Sequence, residues 1–172
     1  MREDEIRRTF IRIAHEILEH NKGVENLALV GIHTGGVFLA ERLRDNIGKI
    51  EGRFPLFGTL DINLYRDDWT RLSPQPLLKK TDLPFPIEDK IIVLVDDVIF
   101  TGRTIRAAMD ALMDFGRPKL IEVAVLVDRD HRELPIMANY VGLNVSTLRE
   151  DRVDVFLKEK AKKDEVVIFS NT

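Results

Sequence analysis

Ile92-Val93-Leu94-Val95-Asp96-Asp97-Val98-Ile99-Phe100-Thr101-Gly102-Arg103-Thr104 is the stretch from which the fold can be read. Its apolar start marks a central strand, buried on both faces. The run ends in two adjacent carboxylates. A short loop follows, and Thr-Gly-Arg-Thr opens a helix expected from Thr104 to about Phe115, closed by Gly116 and Pro118. A helix start offers unpaired N–H groups and partial positive charge, so loop amides and hydroxyls there can hold a phosphate. The carboxylates just upstream can accept hydrogen bonds from two vicinal hydroxyls. A ribose 5-phosphate satisfies both ends at once. Acidic strand ends are common, and Thr104 could equally be a helix cap. The two features together, in strand–loop–helix order, carry the inference.

Outward from this stretch, strands and helices alternate. Ile6, Phe10, Ile13, Ala14, Ile17 and Leu18 recur at three and four residues, which predicts a helix over 4–21 stopped at Gly23. Leu27–Gly31 reads as a strand, 33–36 as a loop, Val37 to about Asn46 as a helix, and Phe54–Tyr65 as strand-like. Residues 66–88 hold Pro74, Pro76, Pro84 and Pro86 with little periodicity, so they read as one long loop, either a functional lid or disordered. Ile91–Val95 and Ile121–Val127 are apolar strands; 139–145, 153–158 and 165–169 are shorter ones. This order predicts an α/β fold, with a mostly parallel central sheet flanked by helices. Ligands in such sheets sit beyond the carboxyl ends of the strands. The loops after Gly31, Val95 and Val127 meet that rule.

The chain has 172 residues, enough for one domain with a real core. With 44% hydrophobic and 32% charged residues it reads as globular rather than disordered. A net charge of −3 leaves no global field to recruit nucleic acid, so an RNA site would have to be a local basic patch. The absence of cysteine excludes disulfides, thiol nucleophiles and Cys-ligated zinc, and fits a cytoplasmic protein. No apolar run is long enough for a membrane span, and the charged N-terminus does not read as a signal peptide. His15, His20, His33 and His131 are scattered, so no metal site built by protein alone is expected. Ile6, Phe10 and Trp69 could belong to the core or to an interface.

Asp96-Asp97 with Thr101-Gly102-Arg103-Thr104 resembles the PRPP-binding signature of type I phosphoribosyltransferases. Over nearly its whole length the chain resembles the PyrR family, bifunctional pyrimidine operon attenuators and uracil phosphoribosyltransferases. Further marks are Arg12-Ile13-Ala14-His15-Glu16, Asp61-Ile62, Leu64-Tyr65-Arg66-Asp67-Asp68, Gly116-Arg117-Pro118, and Val127-Asp128-Arg129 followed by His131-Arg132-Glu133-Leu134-Pro135. The resemblance implies a single phosphoribosyltransferase domain over 1–172, with the PRPP motif at 92–104, a mobile loop at about 66–88 and a small hood. It implies a transferase of pyrimidine salvage, making UMP and pyrophosphate from uracil and PRPP, and a homodimer or higher homo-oligomer. Mg²⁺ would be chelated by PRPP, with Asp96 or Asp97 touching it through water.

By the same resemblance, Asp96 and Asp97 would hold the ribose 2- and 3-hydroxyls. Thr101, Gly102, Arg103 and Thr104 would cradle the 5-phosphate. Thr34, Gly35 and Gly36 fall in the pyrophosphate loop, where related enzymes often hold a non-proline cis peptide; the residues alone would also suit an ordinary glycine turn. The family usually reads Thr-Arg-Gly there, so Gly35 removes a side-chain contact. Arg66 would neutralise pyrophosphate, although a lone arginine is often a surface residue; Lys79 and Lys80 are weaker candidates. Val127, Asp128 and Arg129 would meet the base, or Asp128 and Arg129 would form a structural ion pair.

Leader RNA would meet Arg12, His15, Thr34, His131 and Arg132. Other family positions are changed. Met137 replaces an arginine, Leu143 a lysine and Asp130 a glycine. With Gly35, three positive charges are lost and one negative charge is gained, so weakened transcription attenuation is expected. Two other readings stay open: an RNA-binding sensor of UMP and PRPP with vestigial catalysis, and a phosphoribosyltransferase for another base.

Overall fold

The computed structural model describes residues 1–67 and 80–170. Asp68, Trp69, Pro74, Pro76 and Lys79 lie outside the described residues. Helix α1 spans Glu3–Asn21 and buries the predicted stripe. Ile6 and Phe10 are 0% and 3% exposed within the chain's own core, so they are core residues. Glu5 accepts the Arg2 N–H at the helix start, and Lys22 closes the other end in the left-handed conformation. Strand β1 (Leu27–Ile32) is buried throughout and leads into α2 (Gly35–Glu51). Strand β2 (Leu56–Leu60) and a short 3-10 turn (Asn63–Tyr65) precede the long loop. Beyond it come β3 (Ile91–Ile99), α3 (Arg103–Met113), β4 (Leu120–Arg129), β5 (Tyr140–Val145), β6 (Arg152–Phe156), α4 (Lys158–Ala161) and β7 (Glu165–Phe169).

The five-stranded sheet has the order β2-β1-β3-β4-β5, and every neighbouring pair is parallel. Side chains alternate between two cores, as the pleat requires. Leu27, Leu29, Val93, Val95, Ala124 and Leu126 face the layer of α1 and α2. Ala28, Val30, Ile92, Leu94, Val123 and Val125 face α3. The chain leaves β1 towards β2 on one side, then returns to lay β3 on the other. The loops after β1 and β3 therefore part company at the carboxyl edge, where an α/β sheet opens a crevice.

Strands β6 and β7 form an antiparallel pair beside this crevice. This small hood is tied to the body through the chain's first residues and through α2. The Met1 ammonium donates to the Val166 carbonyl, and the Val166 N–H donates to the Met1 carbonyl. Arg42 on α2 makes bidentate contacts of 2.7–2.9 Å with both Glu159 and Asp164. Among the described residues, no helix is long and apolar enough to cross a membrane.

Several boundaries differ from expectation. Helix α2 continues past Asn46 and through Gly48, where the absent Cβ leaves room for the Phe54 ring. The Phe54–Tyr65 strand shortens to five residues. Asp61 ends it by accepting the Asn63 N–H, a side-chain turn that competes with strand pairing. Strand β3 runs on through the acidic pair to Ile99, because Asp96, Val98 and Ile99 keep their pairing with β4. The final part of the 66–88 stretch returns to the sheet. Thr59 and Asp82 exchange both backbone hydrogen bonds, and Ile87 is buried.

The Arg42 clamp yields a first prediction. Burial pushes the Glu159 and Asp164 carboxyls up, but their bonds to Arg42 and its charge outweigh this and leave both below their usual values. Their contribution is thus present above the unfolded carboxylate range and fades as pH falls through the lowered values. Arg42→Ala should cost about 1–3 kcal/mol in urea unfolding at pH 7, and less at acid pH. Hydrogen exchange should quicken first over 152–169.

Candidate active site

The acidic pair is almost enclosed. Asp96 is only 7% exposed, and one of its oxygens accepts the Asp97 N–H at 2.9 Å. Asp97 in turn accepts the Val98 N–H at 2.8 Å. Burial pushes both carboxyls up, and for Asp96 the neighbouring Asp97 charge adds to the rise. Two cations oppose it: Arg66 acts on Asp96, and Lys160 on Asp97. Such a pair binds poorly to water-like surroundings and well to donors or cations brought by a ligand.

Downstream lies a cavity of about 360 Å³, lined by Arg66, Phe100, Thr101, Gly102, Thr104 and Glu133 among others. Gly102 has φ +91°, a left-handed conformation that only glycine adopts without strain. It stands at the N-cap of α3 and aims the first amides of that helix into the cavity. The Thr101 hydroxyl accepts the Arg103 N–H at 3.3 Å. Cavity, hydroxyls and helix start form a phosphate cradle. Arg103 lines the cavity, but its guanidinium engages Glu133 at 2.7 Å and Asp67 at 2.5 Å. The cradle therefore relies on backbone and hydroxyl groups.

Upstream lies a second cavity of about 370 Å³, lined by Thr34, Gly35, Asp97, Phe156, Leu157 and Lys160 among others. The His33–Thr34 peptide bond is cis, and α2 begins at Gly35. Gly35 lets the Asp97 carboxylate come close, since a Cβ there would lie 2.4 Å from Asp97 Oδ2. Gly36 is buried below, where a Cβ would lie 2.1 Å from the Val95 carbonyl oxygen. The glycine pair presses the start of α2 onto the end of β3.

The segment after β4 holds the cradle in place. Thr101's carbonyl accepts the N–H groups of Glu133 and Leu134. Arg132 donates to the carbonyls of Phe100, Arg129 and Ile136 and to the Asp128 carboxylate. Arg129 is 5% exposed, donates to the carbonyls of Leu148 and Asp151, and stacks 4.0 Å from the centroid of Phe100. The Asp128–Arg129 ion pair kept open from sequence does not form, because Asp128 takes Arg132 instead. Val127 is buried in the core, so only its backbone faces outward groups. His131 Nε2 lies 2.7 Å from the Thr147 carbonyl. Arg12 binds Glu16 and the carbonyls of Val141 and Gly142. His15 is exposed on α1.

The structure thus brings Asp96, Asp97, Arg66, Thr34, Gly35 and the 101–104 loop into one crevice. It leaves Arg12, His15, His131 and Arg132 outside the two cavities. Sequence reasoning missed Lys160 and Glu133, and it did not foresee Arg132 as the brace of the phosphate loop. Lys160 sits on a helix of four residues, too short for periodicity to reveal.

Two substitutions probe this geometry. Burial raises the Asp96 carboxyl above its unfolded value, so the pair favours the fold at low pH and loses that advantage as pH rises through the raised value. At neutral pH the fold bears the cost of this buried carboxyl, which Asp96→Asn removes. The variant should melt roughly 2–4 °C higher at pH 7, the shift that about 1 kcal/mol gives a chain of this size, with the gain vanishing near pH 4. Gly36→Ala meets backbone rather than a movable side chain, and should cost about 3 kcal/mol in urea unfolding.

A family model for the phosphoribosyl transferase domain matches residues 3–157. The bifunctional protein PyrR of Pelotomaculum thermopropionicum is 60% identical over 165 residues, covering 96% of this chain and 91% of that protein. The bifunctional protein PyrR of Bacillus mycoides is 57% identical over 166 residues, covering 95% and 92%. A Trypanosoma cruzi hypoxanthine phosphoribosyl transferase superposes with a TM-score of 0.68 at 20% identity, over 85% of this chain and 76% of that one. A hypoxanthine-guanine phosphoribosyltransferase of Bacillus anthracis gives 0.65 at 18% identity, over 88% and 84%. These two structures share the fold; the sequence identity is what goes further. Matching the domain model over most of its length and the PyrR proteins at 57–60% identity, the chain belongs to the PyrR family of phosphoribosyltransferases.

Proposed function

We propose that the protein is a uracil phosphoribosyltransferase, converting uracil and PRPP to UMP and pyrophosphate. The observation that carries this reading is the Asp96–Asp97 pair, buried at Asp96 and half-buried at Asp97, set between a phosphate cradle and a second anion-sized cavity. PRPP has that shape: a 5-phosphate, a diol and a pyrophosphate. In the reaction the bond from the anomeric carbon to pyrophosphate breaks and the bond to uracil N1 forms, with loss of the N1 proton. Positive charge develops on the sugar ring and negative charge on the leaving group.

Each residue then has a task. Thr101, Gly102, Thr104 and the first amides of α3 fix the 5-phosphate. Asp96 and Asp97 accept from the 2- and 3-hydroxyls, and their charge favours the cationic ring. Arg66 and the Thr34–Gly35 loop face the departing pyrophosphate. Asp96 and Asp97, two adjacent oxygen donors on the crevice wall, would meet a substrate-borne Mg²⁺ through water, and the ion would supply positive charge beside the leaving group. Val127, Asp128 and Arg129 lie at the end of β4, and the base would be read there by backbone groups, since those side chains are engaged internally. Catalysis of this kind is preorganised electrostatics with water kept out. We take the assembly to be a homodimer or larger, in the cytoplasm.

The RNA arm of the family is read here as weakened. Met137 is 81% exposed where a basic residue would serve, and Arg12 and Arg132 are engaged by internal acceptors. Each missing phosphate contact lowers affinity and its salt dependence.

Pyrophosphate release should occur with uracil and Mg²⁺, and not with cytosine, hypoxanthine, guanine or adenine. Asp96→Asn/Asp97→Asn should abolish it. Release with a purine instead would reassign the base, and no release with any base would favour an RNA sensor with vestigial catalysis. In filter binding, a pyrimidine-leader hairpin should bind weakly and without response to UMP, and Met137→Arg/Leu143→Lys should tighten it roughly tenfold or more. A tight, UMP-dependent complex of the unaltered protein would overturn the weakened arm.

A further inference from the structure

The second cavity combines features that the phosphate cradle does not need. One wall is Thr34 and Gly35 at the start of α2, and Asp97 lines it too. The facing wall is the hood, with Phe156, Leu157 and Lys160. A polyanion entering here would meet the Asp97 carboxylate. The helix start supplies only about half an elementary charge against it. Position 35 is glycine and brings none.

Two of the neighbouring cations, Arg42 and Arg103, are engaged by carboxylates. Arg42 is held by Glu159 and Asp164. Arg103 is held by Glu133 and Asp67, and both it and Arg66 line the first cavity. Lys160 differs. Among the described residues its ammonium makes no hydrogen bond or ion pair, and it lies 5.9 Å from the centroid of Phe38, on the α2 side of the cavity. It lines the same cavity as Asp97. A lysine is a compact, strongly hydrated point charge on a flexible stem, well suited to follow a phosphate as it departs.

We propose that Lys160 binds the pyrophosphate group of PRPP, so that the hood supplies the side-chain cation that the Thr34–Gly35–Gly36 loop lacks. This rests on the phosphoribosyltransferase reading of the crevice. Lys160 then faces pyrophosphate from the hood while the Thr34–Gly35 loop faces it from α2.

Titration calorimetry of the whole protein, with Mg²⁺-pyrophosphate and with UMP separately, tests the assignment. Lys160 is exposed, so Lys160→Ala should fold normally. It should weaken pyrophosphate roughly tenfold, the scale of one charge-assisted hydrogen bond. UMP lacks that group and should bind within about twofold of the unaltered protein, a change under 0.5 kcal/mol. The loss should shrink at high salt, as an exposed charge contact does. Lys160→Arg should restore pyrophosphate affinity, and the KM for PRPP should follow the same order. Unchanged pyrophosphate binding by Lys160→Ala would overturn the proposal, as would equal loss of pyrophosphate and UMP. In both cases activity with uracil would still stand. An unaltered protein that binds neither PRPP nor UMP would overturn the activity itself, and the role of Lys160 with it.

Discussion

Asp96 and Asp97 stand side by side in the last turns of β3's pleat, the first buried and the second half-buried, and the rest of the crevice is arranged around that arrangement's instability. Two adjacent carboxylates in a low-dielectric place repel each other and resist ionisation. The sheet makes the placement unavoidable. Gly31 pairs with Val95, so the loop after β1 must pass directly over the first carboxylate's strand. Gly36 then seats the start of α2 on the Val95 carbonyl. Helix α3 begins from the other side, at Gly102. Two helix starts therefore converge on the acidic pair, each with partial positive charge. A sugar diphosphate with a diol brings anions to those helix starts and donors to the carboxylates. The site is poised for that distribution of charge, which is the condition for preorganised catalysis.

Holding such a site requires bracing beyond it. The segment 128–136 supplies the brace through two buried or half-buried arginines. Arg132 ties Phe100 to Asp128 and Ile136, and Arg129 stacks on Phe100 while gripping 148 and 151. Phe100 lies between the acidic pair and the phosphate loop, so both ends of the motif are fixed by one cluster. An arginine fork suits this work because its donors are planar and rigid, and each can meet a carbonyl.

The fold was legible because buried parallel strands write themselves as unbroken apolar runs. The run at 91–95 and the Thr-Gly-Arg-Thr turn located β3 and α3 before any coordinate was needed. The acidic pair and cradle were legible for the same reason. Three things were not. Strand β3 continues beneath its carboxylates, because pairing with β4 is a long-range contact that hydropathy does not encode. The roles of Arg129 and Arg132 depend on carbonyl groups up to 32 residues away in sequence. A basic residue next to a histidine looks like a surface contact until those acceptors are in view. Lys160 lies in a four-residue helix between two edge strands, where no periodicity can form. Composition singles out none of the 26 basic residues. Only the meeting of hood and α2 does.

Gly35 connects the two halves of the family's activity. A side chain at this position could reach both the pyrophosphate and an RNA phosphate, and its absence removes both contacts at once. The consequences are unequal. On the catalytic side, the missing bulk lets Asp97 approach the loop, and Lys160 stands across the cavity from it. A single cation beside the crevice can make good a local loss, because one short-range contact takes the place of another. On the RNA side, affinity is a sum over separate phosphate contacts spread along a surface. Met137 and Leu143 add nothing to that sum, and no single residue elsewhere can replace several of its members. On the reading proposed above, a chain with glycine at position 35 can therefore keep its transferase chemistry while its grip on RNA declines. On that reading the two functions part because one depends on a point and the other on an extended face.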